Sequence, residues 1–533
     1  MKKILFLGIA LAVLASCAGP QGFHVIPMPA EVSISKGFFP VEGATLSLDE
    51  AIDEPSAQAI ERFATALETA SGTKLSEGEG GFRFVLNPEL EAEEYSIDID
   101  GNGACIQASC LNGFVYACET LKQMLPAAIY GCEKASAQWQ LPYASIKDKP
   151  RFAYRGAHLD CCRHFWSVQE VKRYLDVMTA YKFNRFHWHL TDDQGWRIQI
   201  DAYPKLTEVG AWRNGTQIKK DKTSNDGIRY GGFYTKEELR DVVQYAAARG
   251  ITIIPEIELP GHSTAALASY PQLGCTGGPY IVLPRWSGAI DILCAGNDFV
   301  FEFLEGVFRE VVEIFPSEYI HIGGDECFPK NKVAPWEECP KCIARMHALG
   351  IEEGPDAKHY LQNYVTARVQ GILGGLGRKI IGWDEILQGN LAPGATVMSW
   401  RGVAGGIEGA SKGFDVIMTP NNYMYLDYYQ SKNQKKEPFA IGGYLPVEMV
   451  YSYEPYVDMP EEARCHILGV QCNLWTEYIA TPEHLEYMFL PRMCAVSEVQ
   501  WCAADAKDYK RFKASLPHTF DILDAMKLNY RKK

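Results

Sequence analysis

Asp325 and Glu326 stand side by side at the end of an apolar run, Tyr319-Ile320-His321-Ile322-Gly323-Gly324. Adjacent carboxylates repel, so such a pair divides into an anion and a proton carrier, the division that acid/base catalysis needs. A helix N-terminus is the plain alternative, because Asp and Glu favour the dipole there without doing chemistry. The two glycines weigh against it: they remove bulk just ahead of the carboxylates, which predicts close approach of a ligand to the backbone.

Chemistry at this pair requires elements that hold it still. From Lys149-Pro150 onward, short β-rich runs alternate with polar loops and longer helical stretches. Eight such runs are present: Tyr154 to Asp160, Asn184 to Leu190, Ile251 to Ile257, Tyr319 to Gly323, Lys379 to Trp383, Thr396 to Trp400, Asp415 to Thr419 and Ile467 to Trp475. This alternation predicts a parallel sheet, and eight repeats predict an α/β fold of the (β/α)8 TIM-barrel type with insertions. An open doubly wound sheet is the alternative, but no G-x-G-x-x-G or Walker lysine motif follows any strand.

A barrel places functional residues at the C-terminal ends of its strands. Polar and aromatic residues do cluster there: Arg163-His164, Thr191-Asp192-Asp193-Gln194-Gly195-Trp196, Glu258-Leu259-Pro260-Gly261-His262, Asp325-Glu326, Trp383-Asp384-Glu385, Trp400-Arg401, Tyr425-Leu426-Asp427 and Trp475-Thr476-Glu477. Indoles beside carboxylates suit a pyranose, whose C–H face stacks on a ring and whose hydroxyls need acceptors. One buried Trp is ordinary core. Trp383, Trp400 and Trp475 at one level of one barrel predict a sugar site.

The chain has 533 residues, 47% hydrophobic and 22% charged, which is enough for a barrel and a smaller companion. Phe82 to Leu86, Tyr95 to Ile99 and Cys105 to Ala108 read as strands, and Ile60 to Ala70 and Gly113 to Leu125 as helices. Residues 23–149 are therefore expected to form a small α+β domain, and residues 150–533 the barrel with C-terminal helices. Lys2 and Lys3, the apolar run Ile4 to Leu14 and Leu14-Ala15-Ser16-Cys17 read as an export signal over residues 1–17. The tetrad resembles a bacterial lipobox, which makes Cys17 the expected lipid anchor and the only expected link to a membrane.

The net charge of −14 becomes about −16 without Lys2 and Lys3. With no basic stripe to release counterions, nucleic acid is disfavoured and a neutral substrate expected. Apart from Cys17, the cysteines are odd in number and so cannot all pair. A bridge between Cys275 and Cys294 could close a Gly/Pro-rich loop. Cys339-Pro340-Lys341-Cys342 could supply half a zinc site, but no second pair stands at matching spacing, so a bridge or free thiols are expected.

The motifs together resemble the glycoside hydrolase family 20 β-N-acetylhexosaminidases. Those that carry the resemblance are Arg155-Gly156 with Asp160 and Arg163-His164-Phe165, His187-Trp188-His189-Leu190-Thr191-Asp192-Asp193-Gln194-Gly195-Trp196, His321-Ile322-Gly323-Gly324-Asp325-Glu326, and Trp475-Thr476-Glu477. The resemblance runs from about Phe23 to the C-terminal helices. It implies a retaining exo-hydrolase acting on terminal β-linked N-acetylglucosamine or N-acetylgalactosamine, with no cofactor and no metal.

By the same resemblance Glu326 matches the general acid/base, and Asp325 the carboxylate that orients the 2-acetamido group whose oxygen is the nucleophile. Tyr425 matches the hydroxyl that hydrogen-bonds that oxygen. Trp383, Trp400 and Trp475 match the acetamido pocket, Arg163, Asp427 and Glu477 the residues holding sugar hydroxyls, and Asp192 with His262 a buried relay behind the acid. The stretch from Gly274 to Asp298, with its cysteines, departs from the family pattern.

Spacing by itself leaves Asp192, Glu258 and Glu385 open as a second catalytic carboxylate. The H-x-H pair His187 and His189 admits a metal-dependent hydrolase, against packing inside the barrel. A glycan-binding protein without activity is the third reading.

Overall fold

The computed structural model describes residues 22–328 and 334–532, and within them eight parallel strands close into a barrel. They are Tyr154–Asp160, Arg185–His189, Thr252–Glu256, Tyr319–His321, Lys379–Trp383, Thr396–Ser399, Asp415–Met418 and Ile467–Cys472. All eight lie inside the predicted runs. The export segment with Cys17 lies outside the described residues.

Register sets the function of this barrel. Glu256 pairs with His189 on one side and His321 on the other, and Asp160 pairs with His189. Four polar residues from adjacent strands thus fall in one row at the C-terminal end.

The helices pack on the outside through apolar stripes. In Val168–Ala180, Val171, Tyr174, Leu175 and Met178 are buried, and Ser167 and Glu170 close a reciprocal capping box at the start. Thr235 and Glu238 form the same box for Lys236–Ala247. The expectation of a helix after every strand fails after the fifth, which is followed only by the 3₁₀ turn Asp384–Leu387 before the sixth strand. Gly389 and Gly394 in the connection adopt φ of 89° and 87°, and Pro393 lies between them, so the segment turns instead of winding. After the seventh strand the short helix Asn421–Met424 stops at once, so that Tyr425 to Asp427 turn into the mouth before the next α-helix, Val447–Ser452, forms.

The N-terminal domain is a seven-stranded mixed sheet in the order Glu31–Pro40, Gln140–Asp148, Tyr95–Asp100, Gly103–Ala108, Phe82–Leu86, Thr45–Leu48, Ser76–Glu77, packed with helices Glu54–Ser71 and Leu111–Met124. Phe63, Phe82, Phe84, Phe114, Ile97 and Ile106 fill its core. Burial of each such side chain contributes about 1.5–3 kcal/mol. Trp501, from the helix Arg492–Trp501 that follows the eighth strand, packs into that same core.

The cysteine reading requires correction. No disulfide forms among the described residues. Cys275 and Cys294 do not bridge; they are the second pair that the sequence spacing conceals, and with Cys339 and Cys342 they bring four sulfurs within 4.8 Å of one another.

Candidate active site

The fourth strand ends at His321, and the chain then passes through Gly323 and Gly324 at φ of 67° and 94°. The glycines are needed by the protein's own packing. A Cβ on Gly323 would lie 1.7 Å from Glu258 Oε2, and one on Gly324 would lie 2.7 Å from Ile386 Cγ2. The expected close approach is therefore by the protein's own side chains. Glu326 itself sits at φ 45°, an uncommon conformation for a non-glycine residue. No helix begins at this pair, which removes the helix-terminus reading.

The two carboxylates are placed differently. The Glu326 side chain is 61% exposed at the mouth, whereas that of Asp325 is 13% exposed. Asp325 Oδ1 is buried with no hydrogen-bond partner. Burial raises the Asp325 carboxyl to about 8; His262 opposes that rise, and Glu385 and Glu326 add to it. His262 Nε2 lies 3.7 Å from both Asp325 Oδ2 and Glu326 Oε2.

Behind His262 runs a chain of charged groups. His262 Nδ1 lies 3.2 Å from Asp192 Oδ1, and Asp192 Oδ2 lies 2.8 Å from His189 Nε2 and 2.9 Å from an Arg163 guanidinium nitrogen. Asp193 N–H also donates to Asp192 Oδ1 at 2.6 Å. All four acceptor positions of Asp192 are thus engaged, so it braces His262 and Arg163 and offers nothing to a sugar hydroxyl. Against the cost of burial, Arg163 and His262 hold its carboxyl well below the usual range. Arg163 is fixed further by Asp160 Oδ2 at 3.3 Å and by Gln194 Oε1, which accepts from Nε at 2.9 Å.

Glu256, in the third strand, escaped the sequence reading. It is fully buried, and its two oxygens gather His187 Nε2 at 3.0 Å, His189 Nδ1, His321 Nδ1 at 2.7 Å and Trp383 Nε1 at 3.0 Å. Burial works against its charge, but His321, His189 and His187 hold its carboxyl well below the usual range. Held between Glu256 and Asp192, His189 rises to about 10 despite burial and is an imidazolium at neutral pH. The available signal was register: Glu256 aligns with the histidines of both neighbouring strands. His187 and His189 of the H-x-H pair are thereby engaged inside the barrel.

The aromatic residues line up as expected, with one distinction. Trp383 is 1% exposed and forms a floor, its ring 5.9 Å from that of Trp475. Trp400 and Trp475 are partly exposed. Tyr425 stacks with Trp400 at 6.2 Å and 22° and lies 6.4 Å from Trp475. The guanidinium of Arg163 sits 5.0 Å from the Trp475 ring centre. Backbone N–H groups of Trp400 and Arg401 donate to Asp384 Oδ2 at 3.2 and 3.3 Å, which anchors that wall.

Asp427 and Glu477 complete the rim. Burial, with Glu477 nearby, raises the Asp427 carboxyl well above its usual range, and its Oδ1 has no partner. Burial also raises Glu477, with Arg163 opposing. The structure therefore brings Asp325, Glu326, Arg163, Asp192, His262, Trp383, Trp400, Tyr425, Asp427, Trp475 and Glu477 to the C-terminal ends of the barrel strands. A concave surface of indoles, phenol and carboxylates, with one exposed carboxyl at the mouth, is suited to binding a sugar ring and breaking a bond at its edge.

Known proteins are similar to this chain in sequence and fold. Residues 152–504 match the model of glycosyl hydrolase family 20, catalytic domain, and residues 23–149 match that family's domain 2. A β-hexosaminidase of Porphyromonas gingivalis is 42% identical over 520 residues, covering 96% of this chain; the chain spans 64% of that protein's own length. An exo-β-N-acetylglucosaminidase of Vibrio harveyi, solved with N-acetylglucosamine, superposes with a TM-score of 0.81 at 34% identity, covering 96% of this chain and 78% of that one. A mutant Streptomyces plicatus β-hexosaminidase in complex with the product GlcNAc gives a TM-score of 0.83 at 30% identity, over 97% and 99% of the two chains. With matching models over both domains and a relative at this identity, the chain belongs to glycosyl hydrolase family 20.

Proposed function

We propose that the chain is a retaining exo-β-N-acetylhexosaminidase that removes terminal, non-reducing β-linked N-acetylglucosamine or N-acetylgalactosamine from glycans, with the substrate's own 2-acetamido oxygen as nucleophile. Glu326 donates its proton to the glycosidic oxygen as the acetamido oxygen attacks the anomeric carbon and the C1–O bond breaks. The cyclic oxazolinium that results is opened by water, whose proton returns to Glu326, and two inversions at C1 give retention.

The observation that carries this reading is the partnerless Oδ1 of Asp325 beside the aromatic wall. An acetamido N–H would satisfy it, and the contact strengthens as positive charge develops in the ring, which is transition-state stabilisation. Trp383, Trp400 and Trp475 offer walls for the methyl and planar amide, and Tyr425 a hydroxyl for the amide oxygen. Arg163, Asp427 and Glu477 are assigned to the sugar hydroxyls. The other carboxylates fit a nucleophile poorly. Asp192 has every acceptor engaged, Glu258 is buried and raised well above its usual range, and Glu385 accepts from the Glu326 N–H. An intramolecular nucleophile also gains from proximity, worth up to about 7–11 kcal/mol of barrier.

The test compares aryl β-N-acetylglucosaminide, β-N-acetylgalactosaminide and β-glucoside under one set of conditions, with a thiazoline mimic of the cyclic intermediate. Both acetamido sugars are expected to turn over, the plain glucoside far less, and the mimic to inhibit. Comparable kcat/KM on the glucoside would point instead to a protein nucleophile.

Sequence alone supports export and an anchor at Cys17, which follows the apolar run directly and is preceded by the small Ser16. Cys17→Ser is expected to move the protein from the membrane to the soluble fraction on cell fractionation.

A further inference from the structure

The loop after the third barrel strand and the segment after the fourth meet at four cysteines. Cys275 and Cys294 close the ends of the loop, whose strands touch in a bridge between Gly274 and Leu293. Cys339 and Cys342 stand at the N-terminus of helix Pro340–Ala348. Their sulfurs lie 3.8 Å apart for Cys275 and Cys342, 3.8 Å for Cys294 and Cys339, and 3.6 Å for Cys294 and Cys342. Disulfide sulfurs lie about 2.05 Å apart. Four thiolates around one zinc ion at about 2.3 Å form a tetrahedron whose edges are about 3.8 Å, which these three edges match, and all four sulfurs lie within 4.8 Å of one another.

We propose that Cys275, Cys294, Cys339 and Cys342 bind one zinc ion as a closed, structural tetrathiolate site. Soft sulfur ligands in tetrahedral array favour zinc, and four protein ligands leave no open position for chemistry. Cys294, Cys339 and Cys342 are buried. Cys339 caps the helix and Cys342 lies in its first turn. Gly296 is required by the fold of the site. A Cβ there would lie 2.2 Å from the Lys341 carbonyl carbon and 2.6 Å from the Cys342 nitrogen, so any side chain would push the two halves apart.

The site joins two loops that matter to catalysis. Leu293, next to Cys294, donates its N–H to Pro260 O at 3.0 Å, two residues before His262, and accepts from the Trp336 indole at 2.9 Å. Cys339 follows Glu326 in the next segment of chain. Zinc would thus fix the loop behind His262 to the segment beyond Glu326. The sequence concealed it because Cys275 and Cys294 are separated by a whole loop instead of two residues.

Elemental analysis of the full chain, purified without metal-affinity resin, is expected to give one zinc per chain, released when a mercurial titrates the thiols. Cys339→Ser/Cys342→Ser is expected to lose the zinc and melt at lower temperature. Should that variant not fold, replacement of zinc by cobalt in the parent protein supplies the decisive reading: intense visible bands and near-ultraviolet sulfur-to-cobalt charge transfer support the tetrathiolate. Absence of stoichiometric zinc, or an intact mass and peptide map showing these cysteines in disulfides, would overturn the proposal.

Discussion

Two buried charged networks cap the two ends of the barrel, and they are built on opposite rules. At the N-terminal end, where the small domain docks, Arg155 donates to Glu93 Oε1 and Oε2 at 2.8 and 2.9 Å, and Lys182 lies 3.0 Å from Asp148 Oδ2. Tyr95, Trp501 and the Ala30 backbone N–H donate hydrogen bonds to Asp148 at 2.5, 2.8 and 2.9 Å. None of these groups is left without a partner. At the C-terminal end, Glu258 Oε2, Asp325 Oδ1, Asp427 Oδ1 and Trp400 Nε1 are buried and unsatisfied. Buried polar atoms without partners are costly, so a fold retains them where something else supplies the partner. The closed network holds two domains together; the open one is shaped for a ligand.

The sharpest way to separate the two ends is to remove one group from each. Glu326→Gln is expected to reduce kcat by about 100-fold to 10,000-fold, because an amide cannot carry the proton to and from the glycosidic oxygen. Its melting temperature should stay near that of the parent, since the side chain is exposed and the backbone N–H that Glu326 donates to Glu385 is kept by glutamine. A loss of less than about tenfold on a substrate with a poor leaving group would remove Glu326 from the role. Asp148→Ala is expected to do the reverse. It strands the fully buried Lys182, a defect that costs about 3–5 kcal/mol in chemical denaturation, while kcat per folded molecule stays unchanged. A comparable fall in kcat would show that the docking network reaches the mouth.

Legibility in the sequence followed the same division. All eight barrel strands and the residues at their C-terminal ends could be read, because β-rich runs ending in aromatic and charged residues leave a local signal. The helix expected after the fifth strand was displaced by Gly389, Pro393 and Gly394. The strands Glu31–Pro40 and Gln140–Asp148 carried a weaker pattern: seven of the ten residues of the first are exposed, so alternation gives little contrast there. What remained hidden depended on partners distant in the chain. Glu256 is one residue of an apolar strand until register sets it among three histidines. The same holds for Gly323, whose missing side chain makes room for Glu258, and for Cys275 with Cys294, whose partners lie beyond the next strand.

The smallest expected effects are also the most discriminating, because the two ends should respond to pH with opposite sign. Hydrogen bonds from Arg155 and Asn184 outweigh burial and lower Glu93 from 4.5 to about 2, so its contribution is present above pH 4.5 and lost as pH falls toward 2. Burial raises Asp325 from 3.8 to about 8, so the folded protein retains a proton that the unfolded chain releases, and stability declines as pH rises through that window. Denaturation followed across pH should show Glu93→Gln flattening the acid limb and Asp325→Asn flattening the neutral one. The open end should respond to ligand as well. An acetamido N–H at Asp325 favours the carboxylate, so binding of the thiazoline mimic or of product near pH 7 should release protons, measured by calorimetry in two buffers of different ionisation enthalpy. Asp325→Asn should abolish that release, and Glu93→Gln should leave it intact. Proton release that survives in Asp325→Asn would assign the titration to His262 or Glu258 and sever the link between the open carboxylate and the substrate.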